Sequence, residues 1–218
     1  VVLLGAHFDS WDPAEGADDG GSGVAAVLDV ARILKSLSVT PRRTIRFAFF
    51  SGEEEALLGS RGYDATHEKE HDRLSAVLVM DSGAGKPRGI ELHGRADLEP
   101  AVRKAIAPLS SFGATATTLA ASFDRDHGPF VVAGVPALTL WVEAGTYDDH
   151  HHTVIDTFDK VDPHWLAVDT AVMGIAAWNL ADALERVGRR LTPAEAADVL
   201  KKSGVDATRR MVYGISTP

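Results

Sequence analysis

The chain has 218 residues, 22 basic and 31 acidic, for a formal charge of −9, with 45% hydrophobic residues and no cysteine. A chain of this length buries roughly 70% of the surface its unfolded form exposes, enough for one sizeable core, and without thiols it has neither a disulfide framework nor a thiolate metal site. The acidic balance argues against a nucleic-acid partner, whose binding rests on neutralised phosphates, and no stretch approaches the ~18 consecutive apolar residues of a membrane span.

Residues 1–4 read as a buried strand. The chain therefore opens inside an element, with no signal peptide, and the expectation is a piece of a longer parent lacking its first strands. His7, Phe8 and Asp9 follow, then a loop with Gly16, Asp18, Asp19 and Gly20. Apolar residues at helical spacing (Val24, Val27, Leu28, Ala31, Leu34) predict a helix over 24–37. The run 44–50 predicts the next strand, and Glu53, Glu54 and Glu55 lie between it and a helix over 57–72. A strand at 76–80 leads into Asp81. A weaker strand at 89–93, a helix at 98–109 and a strand at 137–142 come next, and the last is followed by Asp148, Asp149, His150, His151 and His152. A long helix is predicted at 165–184, and Thr192, Pro193 and Glu195 spell the start of a final one: a cap, a first-turn proline and the glutamate of a capping box. From residue 204 the sequence reads as a mobile tail, leaving 1–203 as one catalytic domain. Strands alternating with helices predict a layered α/β domain.

In such a domain ligands sit beyond the carboxyl ends of the strands. Three predicted strand ends in succession present His7 and Asp9, then Glu53 to Glu55, then Asp81, and two loops add Asp18, Asp19 and the histidine run. Taken singly each has a plain structural explanation: a hydrogen-bonded pair, acidic residues favoured at a helix start, a turn. Five such clusters at the ends of one sheet supply the six or so nitrogen and oxygen ligands of two metal ions, and a sulfur-free donor set of this kind suits zinc in a hydrolytic site. Two other motifs are decoys. HEKEH at 67–71 has the spacing of a zinc-binding helix, but its neighbours are polar and the stretch reads as an exposed helix end. GAGKPRG at 83–89 has proline where a phosphate loop needs serine or threonine, and reads as a turn.

GAHFDSWD, GADDGGSG, FFSGEEEALLGS, VMDSG, DHGPF with AGVPAL, and HHTVIDTFDKVDP occur in the order and spacing of the co-catalytic zinc exopeptidases. That family includes bacterial leucyl aminopeptidases and glutamate carboxypeptidase, and HFDSWD and DTFDKVDP look most like its plasma glutamate carboxypeptidase (carboxypeptidase Q) branch. The resemblance covers residues 1 to about 165 and implies a three-layer α/β/α sandwich around a mixed, mostly parallel sheet. It implies two zinc ions per chain. His7 and Asp81 match the ligands of one, Glu54 and His152 those of the other, and Asp19 the carboxylate between them. His152 is preferred to His150 and His151 because it alone precedes the Thr, two residues, Asp-Thr pattern. Glu53 matches the general base and Asp9 the carboxylate that orients His7. Asp126 and His127 match a motif near the pocket, and Tyr147, His150 or His151 could donate to the oxyanion.

The implied reaction is hydrolysis of the terminal peptide bond of a short peptide or dipeptide by a water acidified between two metals, Glu53 moving its proton. Arg125 is the arginine nearest a family motif. With no arginine otherwise placed at the pocket, recognition tilts toward the amino end of the substrate. The branch is usually exported and often dimeric, which gives the expected location and partner. Two rivals stay open: another amide hydrolase or cyclase on the same scaffold, separable by activity on acylated amino acids, and a metal-free binding ectodomain, separable by zinc content.

Overall fold

The computed structural model describes residues 1–204; residues 205–218, nearly all of the predicted tail, lie outside the described residues. Its centre is β1 (Val2–His7), an aliphatic run buried along its whole length. β1 pairs in parallel with β2 (Ile45–Phe50) on one side and with β3 (Ala76–Val79) on the other. β6 (Ala137–Val142) lies parallel beside β3, whereas β4 (Pro87–Glu91) runs antiparallel to β6 and carries β5 (Ala116–Thr118) parallel to itself. The order is β2-β1-β3-β6-β4-β5, a mixed and mostly parallel sheet as expected.

Alternate side chains of the strands feed two cores, because successive residues of a strand face opposite ways. Val2, Leu4, Ala6 and Leu78 pack with α1 (Ser22–Ser36), α3 (Glu99–Ile106) and α5 (Pro163–Asp182) through Val27, Val30, Val102, Ala176 and Leu180. Leu3, Val77 and Val79 face the other way, onto Phe130 and Val131 of α4 (Gly128–Val132) and Leu200 of α6 (Pro193–Lys202). The third helix of that layer, α2 (Leu58–Thr66), adds Tyr63. The result is the expected three layers. β1, β2, β3 and β6 share one direction, so their carboxyl ends open on the same side.

Differences from the sequence reading are local. The helix predicted over 57–72 ends at Thr66, whose hydroxyl bonds back to the carbonyls of Gly62 (2.8 Å) and Tyr63 (3.0 Å), and Glu68–Arg73 is a tighter turn. The strand predicted at 89–93 lies at Pro87–Glu91, because the backbone turns at His93 (φ 46°). The three residues of β5 and the five of α4 were not predicted, being too short to show a period. The capping box of α6 is present as read, Thr192 accepting from the Glu195 N–H and Glu195 from the Thr192 N–H.

Candidate metal centre

The carboxyl end of β1 places His7, fully buried, beside the segments that follow β3 and precede α1. Its Nε2 lies 3.3 Å from Asp19 Oδ1 and 3.3 Å from Asp81 Oδ1. Asp19 sits in an irregular turn, Ala17–Gly21, where Asp19 (φ −87°, ψ 101°) and Gly20 (φ 92°, ψ −54°) leave helical geometry. Gly20 is required there, since a Cβ would stand 2.8 Å from the His7 ring on a backbone with positive φ. The other oxygen of Asp19 faces the loop after β6: His151 Nε2 is 3.3 Å from Oδ2 and His152 Nε2 is 3.5 Å from it. His152 Nε2 also lies 3.0 Å from Glu54 Oε2. Asp19 thus turns one oxygen to each of two donor groups.

Among the described residues three sets of donors converge: His7, Asp19 and Asp81; Asp19, His151 and His152; and His7, Glu53 and Glu54. A tetrahedral ion with bonds of about 2.0–2.1 Å separates its ligand atoms by about 3.3 Å, which is the spacing of the first set. The donors are also unspent. His7 Nε2, Asp19 Oδ2, Glu54 Oε1 and Asp81 Oδ2 are buried without a hydrogen-bond partner in the chain, a costly state unless a cation occupies the gap. The residues present fit divalent ions.

The electrostatics say the same. Burial first, then the Asp81 carboxylate, pushes Glu53 up to about 9. Burial and Asp19 push Glu54 up to about 7, and burial lifts Asp126 to about 7. Burial works against a charged His7, yet the carboxylates of Asp19 and Asp81 override it and raise the imidazole to about 12. The carboxylates gathered around His7 favour positive charge at their centre, which is the charge a divalent ion would supply.

The remaining predicted residues fall into place unevenly. Asp9 faces His7 Nδ1 at 3.7 Å, beyond a hydrogen bond, and its other oxygen accepts from the Glu54 N–H at 3.3 Å. It therefore holds the Glu53–Glu54 backbone rather than bonding the imidazole. Tyr147 lines the cavity, and burial, with Asp19 and Asp81 beside it, holds its hydroxyl above the usual range and so protonated. His151 and His152 stack with centroids 3.7 Å apart, and Trp11 stacks on the outer side of His152 at 4.4 Å. His150 does not join them: it is buried with Nε2 2.9 Å from Asp18 Oδ2 and does not line the cavity. Asp126 and His127 are fully buried and line no part of the cavity; His127 stacks on His93 at 4.0 Å and contacts the Ser122 carbonyl. In the decoy at 67–71, His71 is buried against Asp64 (2.8 Å), contrary to the expected exposure, while His67 stacks on Tyr63; no converging donor set among the described residues uses them.

Two features gain a place that the sequence does not assign them. Arg125 lines the same cavity of about 380 Å³ as Asp19, Glu53, Asp81, Tyr147, His151 and His152, where it donates to Ser82 Oγ (2.8 Å). The tilt toward the amino end of a substrate had rested on the lack of such an arginine. Asp156, 1% exposed, accepts from the main chain of the Asp19 turn. The Asp-Thr pattern after His152 was the only signal for it.

The profile of peptidase family M28 matches residues 1–173. Carboxypeptidase Q of Rattus norvegicus is 30% identical over 189 residues, which cover 87% of this chain and 40% of that protein. The crystal structure of a Peptidase M28 precursor from Shewanella amazonensis SB2B superposes with a TM-score of 0.80 at 32% identity, over 88% of this chain and 43% of the other. BSAP, a zinc aminopeptidase from Bacillus subtilis, superposes with a TM-score of 0.69 at 26% identity, over 86% and 50%. The chain spans about 40% of the length of the curated relatives it matches.

Proposed function

This chain belongs to peptidase family M28, and from that premise we propose that it is a zinc metallo-exopeptidase that hydrolyses the terminal bond of short peptides, free dipeptides above all. The observation that carries the reading is the division of Asp19, whose Oδ1 meets His7 while Oδ2 meets His151 and His152. His7 and Asp81 would hold one zinc ion, Glu54 and His152 a second, and Asp19 both. His151 is a further donor at the second position. Two such ions, when bound, acidify water and polarise the scissile carbonyl.

The chain's own residues divide the remaining work. Glu53, on the cavity wall next to the proposed ligand Glu54, takes a proton from the attacking water at its carboxylate and returns it to the leaving nitrogen. Burial and the Asp81 carboxylate raise its proton affinity, and cations held beside it would bring it back toward the ionised form that a base needs. The protonated hydroxyl of Tyr147 donates to the oxygen that gains charge. Arg125 on the same wall meets the free carboxylate of the leaving residue, and Ser82 holds the guanidinium in place. A cavity of about 380 Å³ suits a small ligand and would not enclose a long peptide. Export and a homodimeric assembly belong to the same reading, and sedimentation of the protein would test the second.

The test is a cleavage profile over a mixed peptide pool with zinc supplied and then chelated. The expected result is release of single residues, strongest from free dipeptides, lost on chelation and restored by zinc. Cleavage inside long peptides, or turnover indifferent to chelation, would rule the proposal out.

A further inference from the structure

Asp156 is buried and lies in the loop that follows the three histidines, yet it is in none of the converging donor sets. Its carboxylate accepts two successive main-chain N–H groups from a segment distant in sequence: Asp18 N donates to Oδ1 (2.9 Å) and Asp19 N to Oδ2 (3.0 Å). Those amides belong to the turn where Asp19 and Gly20 leave helical backbone, so no regular hydrogen-bonding ladder holds it. The same two segments are tied a second time. His150 Nε2 meets Asp18 Oδ2 at 2.9 Å, while Asp18 Oδ1 accepts from the Ala84 N–H (2.7 Å) in the segment after β3. Ser22 Oγ closes the turn onto the Asp18 carbonyl at 2.7 Å. Three segments that carry proposed ligands, 17–21, 81–84 and 150–156, are therefore joined by side chains that are not ligands.

We infer that Asp156 is the positioning residue of the metal centre, holding the Asp19 carboxylate between its two donor groups before any cation arrives. The inference rests on Asp19 being a ligand, as proposed above. Two hydrogen bonds from one buried side chain to adjacent amides fix both the position and the twist of the turn, because neither amide can move without breaking its bond. A ligand on an untied turn would have to be ordered at the moment of binding, and that cost would come out of metal affinity. Groups that only orient ligands typically change metal affinity or activity by about 10–100-fold when altered.

The test is Asp156→Asn, which keeps the shape and one acceptor oxygen but turns an NH₂ toward one of the two N–H donors. Zinc affinity is read by competition with a chromogenic chelator, alongside the melting temperature of the zinc-free protein. Zinc binding weaker by about 10–100-fold in a variant whose zinc-free form still folds and melts cooperatively, at a temperature a few degrees lower, is the expected result. Wild-type affinity in the variant overturns the inference. If the variant does not fold, amide hydrogen exchange on the zinc-free wild-type chain decides. Protection of the Asp18 and Asp19 amides supports a turn set in advance, and exchange at loop rates until zinc is added overturns it. A wild-type chain that takes up no zinc would instead sink the metal reading, whereas wild-type affinity in the variant beside a zinc-binding parent sinks the positioning role alone.

Discussion

At the scale of single residues, the chemistry depends on small differences between side chains of one type. Asp18 and Asp19 are neighbours of equal burial, yet Asp18 is spent on His150 and the Ala84 N–H while Asp19 keeps an unpartnered oxygen for the site. Glu53 and Glu54 divide in the same way. Glu54 stands 3.0 Å from His152, whereas Glu53 lines the open cavity. Glu53→Gln should therefore retain its zinc by elemental analysis and lose about 10²–10⁴-fold in kcat, the range for a general acid–base group; ordinary turnover in that variant would remove Glu53 from the mechanism. Arg125 gives a prediction about specificity. Loss of a hydrogen bond to a charged group costs about 1.5–3 kcal/mol, so Arg125→Ala should lower kcat/KM for free dipeptides by about 10–100-fold and leave carboxyl-amidated ones nearly unaffected. An equal effect on both substrates would count against a carboxylate anchor.

At the scale of elements, α5 shows what a predicted helix leaves undecided. Its apolar run was readable, but its start was placed two residues late, because the cap is Asp162, which accepts from the N–H groups of His164 (2.8 Å) and Trp165 (3.3 Å). Asp162→Ala should cost about 0.5–2 kcal/mol in urea denaturation, the usual price of a lost cap. Further along the same helix Asp169 is fully buried, and burial pushes it up to about 8 against the weaker pull of the Gly85 N–H. The sign follows from linkage. Above about pH 4 the unfolded chain has released this proton while the folded chain retains it up to about pH 8, so stability falls as pH rises across that window. Asp169→Asn should therefore raise the melting temperature most at pH 8 to 9, with the gain shrinking toward pH 4. A gain that is flat across that range would mean Asp169 is not held neutral.

At the scale of the whole molecule, the charge of −9 is not spread evenly, because Asp9, Asp19, Glu53, Glu54 and Asp81 gather around one buried histidine. Cations bound there stabilise the fold by mass action. At a free zinc concentration a hundred times Kd this amounts to about 2.7 kcal/mol, or about 5–10 °C for a chain of this size. Chelation should lower the melting temperature by that order, and an unchanged transition would contradict the account. No helix among the described residues is long and apolar enough to cross a membrane.

The strands, the main helices and the ligand types were legible in the sequence because each follows from a local pattern: apolar runs, helical spacing, and carboxylates or imidazoles just past a strand end. The clusters past the strand ends pointed to one side of the sheet, but the five proposed ligands and the proposed base could be named only through the resemblance to the zinc exopeptidases, position by position. What the order of residues could not decide was orientation and partnership across long separations. His150, His151 and His152 are chemically alike, and only the loop's path sends the first to Asp18 and the other two to Asp19. Asp126 and His127 sit beside Arg125 in sequence, yet they are buried away from the cavity that Arg125 lines. Asp156 reaches a turn 137 residues away, a contact with no local signature. Donor identity is a property of the residue and was set by the sequence itself; donor geometry depends on packing between segments far apart in the chain, and only the tertiary structure decided it.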